Sequence, residues 1–278
     1  MKNASHPYAP QEFRLLCKSV WLFLATVLLS LSQFVTAMES TAAPNTLRIA
    51  YVEFPPYTYQ DGEGNPAGVF IEVTRKVVKE AGYQPEFVYL PISRTYLYLI
   101  NGKIDVWVGV THVPRLFGEV LESGITPVPV QLSAWYRSDT PVLENFEQLR
   151  GKTVIVMAGY TYGGLIDWLN AADDIDITEA PNHRSAIDML KRKRGDYLLD
   201  YQEPVRQILN QPSDDIIRET SVRTRRTAWV FSLANPEAAV LQQKFDSAYL
   251  RLLAINEVPS PHSLAPHSFI PGFPEQYQ

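Results

Sequence analysis

The feature that most restricts what this chain can fold into is a pattern that occurs twice. A helix-like segment runs to a glycine, and an apolar strand carrying an aspartate follows: NGKIDVWVG at 101–109 and KRGDYLLD at 193–200. Such apolar strands fit burial on both faces of a parallel sheet. Parallel neighbours require crossover connections, usually helices. Each occurrence therefore calls for β-α-β units around it.

The flanking sequence supplies them. Before the first occurrence, TLRIAYV reads as a strand and DGEGNPAG as a turn-rich link. FIEVTRKVVKEAGY predicts a helix, with Phe70, Val73, Val77 and Ala81 on one face and Gly82 at its end. PEFVYLP follows as a strand. SRTYLYLINGK is a short helix, with Ser93 as N-cap and Gly102 as the stop. Before the second occurrence, FEQLRGK leads into the strand TVIVMAG, then a helix in TYGGLIDWLNAA, a strand near ITEA and a helix in HRSAIDMLKRKRG. This alternation predicts an α/β fold of two similar lobes, not one continuous sheet. Further on, RTRRTAWVFSLAN holds a strand and PEAAVLQQKFDSAYLRLLAIN an amphipathic helix that Pro236 helps to start. The proline-rich end, from Val258, predicts irregular chain.

Several function classes fall away on composition. Residues 1–37 order a basic region, an apolar stretch and Val35-Thr36-Ala37, the layout of a secretory signal peptide cleaved after Ala37. The formal net charge is -5, and this leader holds three bases against one acid, so the remainder is more acidic still. That argues against a nucleic-acid partner and suits a periplasmic protein. The one cysteine, Cys17, lies in the leader, so neither disulfide nor thiol nucleophile is expected after cleavage. The five histidines have no metal-ligand spacing and no GxSxG elbow occurs, so no metal, cofactor or catalytic residue is expected. The basic run at 191–194 complements the end of a helix. RTRR at 223–226 is left open: lobe-to-lobe pairs, an anion site, or surface.

Taken in series, LRIAYVEFPPYTYQDGEGNPAGVFIEV, LPISRTYLYLINGKIDVWVGVTHVPR, FEQLRGKTVIVMAGYTYGG and RGDYLLD resemble the polar amino acid class of type II periplasmic solute-binding proteins, the bacterial extracellular solute-binding proteins of family 3. The resemblance spans about 46–256. It implies two lobes, each a mixed, mainly parallel sheet flanked by helices, with a ligand cleft between them. Lobe 1 would comprise 46–128 plus 222–278 and lobe 2 129–221, with crossovers near Pro127–Ser133 and Thr220–Arg225.

Candidate ligand-binding residues lie where strands end. Pro55-Pro56 stiffen the loop after the first strand and aim Tyr57, with Glu53 on the same rim. The resemblance implies an aromatic packing over ligand at Tyr57. Arg115 can clamp a carboxylate through two hydrogen bonds, with Thr111 beside it. The family uses such a pair for the ligand's α-carboxylate, but here Arg115 comes one residue sooner than the family pattern has it. Arg94 is a rival anchor. Gly159, Tyr160 and Thr161 offer backbone N–H groups at a helix start. Asp200 ends its strand and, by the resemblance, holds an α-amino group. Asp105 and Asp196 begin strands and read as structural.

Arg115 and Asp200 across two lobes would suit a zwitterion. The expected function is closure over a small polar ligand, an amino acid or related carboxylate, for uptake by an inner-membrane ABC permease, with the protein a monomer. Two alternatives stand beside it: a stand-alone sensor of another carboxylate, and a cyclohexadienyl dehydratase-like enzyme drawing on Glu53, Asp200 and His112.

Overall fold

The computed structural model describes residues 45–209, 215–261 and 269–277. The expected signal peptide at 1–37 lies outside the described residues.

The chain opens with β1 (Thr46–Tyr51), a small hairpin of β2 (Tyr59–Gln60) and β3 (Pro66–Ala67), and α1 (Val69–Glu80). β4 (Gln84–Tyr89), α2 (Ile92–Ile100), β5 (Val106–Val110) and β6 (Val120–Glu122) follow. A second set comprises β7 (Pro129–Arg137), β8 (Thr153–Met157), α3 (Leu165–Ala171), β9 (Asp176–Ala180), α4 (His183–Lys191), β10 (Tyr197–Tyr201) and α5 (Gln202–Ile208). β11 (Ile217–Ser232) and α6 (Ala238–Ala254) complete the regular structure.

β1 pairs in parallel with β4 and β5, and β8 with β9 and β10, as the βαβ grammar requires. The expectation of two separate sheets needs correction. The strand order runs unbroken, β4-β1-β5-β11-β7-β10-β8-β9, with β6 also beside β11. β11 spans both lobes. Its first part, from Ile217 to Arg226, pairs antiparallel with β7, and Thr227 to Phe231 pairs antiparallel with β5. The register shifts between Ser221 and Arg223, where a bulge bends the strand. β7 occupies the stretch expected only as a crossover, and its mixed sequence PVQLSAWYR lacks a clean alternation.

Alternation along the strands sends side chains to both faces. In the first lobe Ile49, Val106, Val108, Trp229 and Phe231 pack against α1 and α6. Ala50, Trp107 and Val230 point the other way, into a core with Leu99 and Leu116. On the first face Phe245 is fully buried between Trp229 and Phe231, with ring centroids 5.9 and 5.1 Å away. Trp229 Nε1 donates to Thr74 Oγ1 at 2.9 Å, so the buried indole is satisfied. The second lobe has its own core around Leu132, Ile155, Leu169, Ile187 and Leu199.

The repeated pattern proves to be a repeated clamp. Asp105 donates its N–H to the Arg48 carbonyl at 2.9 Å, and its carboxylate accepts from Arg48 N at 3.0 Å. Asp196 does the same to Thr153, at 2.8 and 2.9 Å. In each lobe an aspartate entering an apolar strand fixes that strand's register on its parallel neighbour. Asp105 also pairs with the Arg48 guanidinium and accepts from Asn235. Both aspartates are structural groups.

Helix starts depart from expectation in two places. α2 begins at Ile92, with Pro91 in the N-cap position and no side-chain cap, so Ser93 lies inside the first turn. Tyr162–Gly164 forms a 3-10 turn ahead of α3, because Gly163 and Gly164 take left-handed φ of 69° and 92°. The tail also departs from the grouping of 222–278 with the first lobe. Ile270 and Phe273 join the second-lobe core, Phe146 N donates to the Pro271 carbonyl at 2.8 Å, and Ile270 N donates to Val222 at 3.0 Å.

Phe245→Ala removes the ring that fills the space between α6 and the sheet, and is expected to cost about 3–5 kcal/mol, read from urea unfolding.

Candidate functional site

The loop after β1 is held from both sides. Phe54 N donates to the Thr58 carbonyl at 2.7 Å, and Thr58 N returns a bond to Phe54 at 3.1 Å. The carbonyls of Pro56 and Tyr57 accept from Val69 N and Phe70 N, the first free donors of α1. Gly68, with φ of 115°, makes this contact possible, since a Cβ there would strike the Tyr57 carbonyl. The Tyr57 loop is therefore stiffened by a helix start as well as by its prolines.

Phe54 and Tyr57 stack at 5.9 Å. Phe54 reaches across the cleft to Tyr201, 5.2 Å away, and to His183, 6.1 Å away. From the second lobe Tyr160 meets Tyr201 and His183, each at 6.1 Å. Tyr96 packs edge-on against Trp107 at 5.5 Å. Together these rings wall a cavity of ≈50 Å³ between the lobes. Burial raises the hydroxyl pKa of Tyr96, Tyr160 and Tyr162, so all three stay protonated across physiological pH. Trp107 lines the cavity, and among the described residues its buried Nε1 has no hydrogen-bond partner. Among the described residues lining the cavity, Arg225 alone carries a charge. It is buried, donates to the carbonyls of Thr111 and His112, and lies 3.5 Å from the Tyr201 hydroxyl.

The expected site residues divide between this cavity and its surroundings. Tyr57, Tyr160 and Thr161 line it. Gly159 lies close against α2 of the first lobe, since a Cβ there would strike Ser93 Oγ. Thr111 is buried beside Arg225, and its N donates to the Arg226 carbonyl at 3.0 Å. Glu53 is exposed at the rim. Partial burial raises its carboxyl pKa, while the Gln60 N–H and His183 work against the rise. Arg94 and Arg115 are both exposed and outside the cavity lining.

Asp200 is fully buried. One oxygen accepts from Tyr201 N and the other sits against His183 Nδ1, both at 2.7 Å. Burial of His183 favours its neutral form, but the charge and hydrogen bond of Asp200 outweigh this and raise its pKa above 6.5. Sequence spacing gave no hint of this pair. Nor did it single out Trp107, Tyr96 or Tyr201 as lining, since each reads as an ordinary core residue, and it left Arg225 open within the run at 223–226. Among the described residues no His, Cys, Asp and Glu cluster could hold a metal ion.

Two lobes of α/β structure meeting at an aromatic-lined cleft define the class of periplasmic-binding-protein-like folds. Solved structures of that class match over most of the chain. A histidine kinase sensor domain with similarity to periplasmic binding proteins matches with a TM-score of 0.66 and 21% identity, covering 77% of this chain and 92% of that one. An ancestral arginine-binding protein bound to arginine gives 0.64 and 22%, over 77% and 94%. The substrate-binding protein of an amino acid ABC transporter gives 0.62 and 15%, over 77% and 95%. Comparison with curated protein sequences finds no match. Residues 47–115 match the family model of bacterial extracellular solute-binding proteins, family 3. That match, set within this fold, is a likeness to the solute-binding proteins of family 3 over the first part of the chain.

A His pKa raised by folding stabilises the fold fully below about pH 6.5, and the contribution is lost as pH rises through the folded value. Asp200→Asn is expected to flatten that loss and to lower stability at pH 6 by about 3–5 kcal/mol. Urea unfolding at pH 6 and pH 9 checks both; an unchanged difference between the two pH values would contradict the role given to the pair.

Proposed function

We propose that this chain is an extracytoplasmic solute-binding protein that closes its lobes over a small carboxylate bearing an apolar or aromatic group, an amino acid or close analogue. The observation that carries the proposal is the aromatic cavity with Arg225 as its one charge. Aromatic faces accept an apolar body, Trp107 Nε1 offers a hydrogen bond, and the Arg225 guanidinium suits a carboxylate. The cavity of ≈50 Å³ is far below the ~300–1,000 Å³ of common ligand sites, so the lobes must part for entry. Binding then draws the protein toward the closed arrangement.

Within this reading, lobe 1 takes 46–128 and the return from 222 through α6, lobe 2 takes 129–221 with 269–277 packed on it, and the leader directs export to the periplasm. Delivery to an ABC permease is the first role proposed. A sensing role is the second, favoured by the exposure of Arg94 and Arg115. The two arginines considered as anchors both stand outside the cavity, so the clamp expected of amino acid transport is not assembled there. Tyr57, Tyr160 and Thr161 remain proposed ligand contacts, whereas Asp200 acts through His183.

Calorimetric titration with aromatic and aliphatic amino acids, monocarboxylates and dicarboxylates tests the reading. Arg225→Gln is expected to weaken carboxylate binding about tenfold or more, as for a lost charged hydrogen bond. Tyr160→Ala should weaken it through lost stacking, and Arg115→Ala should change it little. Binding abolished by Arg115→Ala and untouched by Arg225→Gln would reverse the assignment.

A further inference from the structure

β11 carries Arg223, Arg225 and Arg226 within four residues. Arg223 and Arg225 are 7% and 4% exposed. Their guanidinium groups converge on one backbone position: a Cβ on Gly163 would stand 2.6 Å from Arg223 Nη2 and 2.9 Å from Arg225 Nη2. Every hydrogen-bond partner these arginines have among the described residues is a neutral oxygen. Arg223 donates to the Tyr277 carbonyl and lies 5.4 Å over the Phe273 ring. Arg225 takes Thr111, His112 and Tyr201. Arg226 donates to Thr126 Oγ1 at 2.9 Å and to the Gly124 carbonyl at 3.2 Å. A nearby acid, Glu122, is engaged by His112, whose N donates to it at 2.7 Å.

Buried like charges with no counter-ion are costly to keep together. The strain shows in Arg223: burial, and then the charge of Arg225, lowers its pKa to about 10. Its buried Nε has no hydrogen-bond partner among the described residues. Space is available beside it. A pocket of ≈460 Å³ is lined by the three arginines together with Thr111, Gly163 and Tyr277. Arg223 does not line the aromatic cavity, and Arg225 borders both spaces.

We infer that this second pocket is an oxyanion site, in which the oxygens of a small carboxylate or phosphate bridge Arg223 and Arg225. Planar guanidinium forks bind such oxygens in pairs, with charge assistance. Thr111 follows a first-lobe strand, Gly163 precedes a second-lobe helix and Tyr277 belongs to the tail, so an anion here ties three parts of the chain together. Its occupancy favours the closed arrangement by binding that arrangement better. The site stands whatever ligand the aromatic cavity takes.

The test is titration of the full chain with sodium phosphate, citrate and acetate, each against sodium chloride at matched ionic strength, read as Tm and by calorimetry. A saturable Tm rise with phosphate, with a carboxylate, or with both is expected, and the pattern names the preferred oxyanion. Arg223→Gln should weaken it about tenfold or more, as for a lost charged hydrogen bond. Arg223→Lys, which keeps charge and bulk but loses the fork, should weaken it too and carries the comparison if the glutamine variant does not fold. Binding of the carboxylate ligand to the aromatic cavity should survive both changes, which separates failure here from failure of the functional reading. No rise beyond chloride for any of the three salts, or equal affinity in wild type and both variants, overturns the site.

Discussion

The antiparallel ladder between β7 and β11 is the constraint on which the rest of the structure depends. β11 is 16 residues long and gives one part of its length to each lobe. The lobes are therefore two regions of one hydrogen-bonded surface. Their relative motion must be taken up along that strand, and the register shift between Ser221 and Arg223 is where the ladder is already interrupted. A bulged strand bends there without breaking further backbone bonds. The same segment supplies Arg223 and Arg225, so charge is concentrated where the backbone turns from one lobe to the other.

Much of the fold was legible because it is written locally. The apolar spacing in α1 and the buried strands β5 and β10 depend on near neighbours and a simple period. The recurring aspartate was visible too, although its work, clamping the adjacent parallel strand, appears only once Arg48 and Thr153 are brought alongside. β7 was missed because a strand flanked by β10 and β11 needs no regular alternation when its sequence serves two different surroundings. The site was less legible. Trp107 and Tyr96 look like core residues, and they are; their second role arises from what the opposite lobe brings near them. Arg225 sits in a basic run whose role the sequence leaves open, because its partners Thr111 and Tyr201 are distant in sequence. Asp200 reads from sequence as a strand-end carboxylate, and β10 extends one residue past it to Tyr201. Its partner, His183, could not be found by spacing.

Electrostatics in the cleft follows from this burial. The aromatic wall lowers the local dielectric and strengthens any charge that remains inside it. One cation, Arg225, faces the cavity. Asp200 and His183 pair through Nδ1 behind the rings, with Phe54 and Tyr160 packed on the imidazole. The wall is thus supported by a polar contact it does not expose. Deprotonating that histidine would loosen the support without altering a single lining residue.

The tail has a practical consequence. α6 packs on the first lobe, but residues 269–277 lie on the second, with Phe273 5.3 Å from Phe146. A fluorophore attached beside Phe273 would ride with the second lobe, although its position in the chain suggests the first. Paired with a dye on α6, it would report lobe separation from two labels placed close together in sequence.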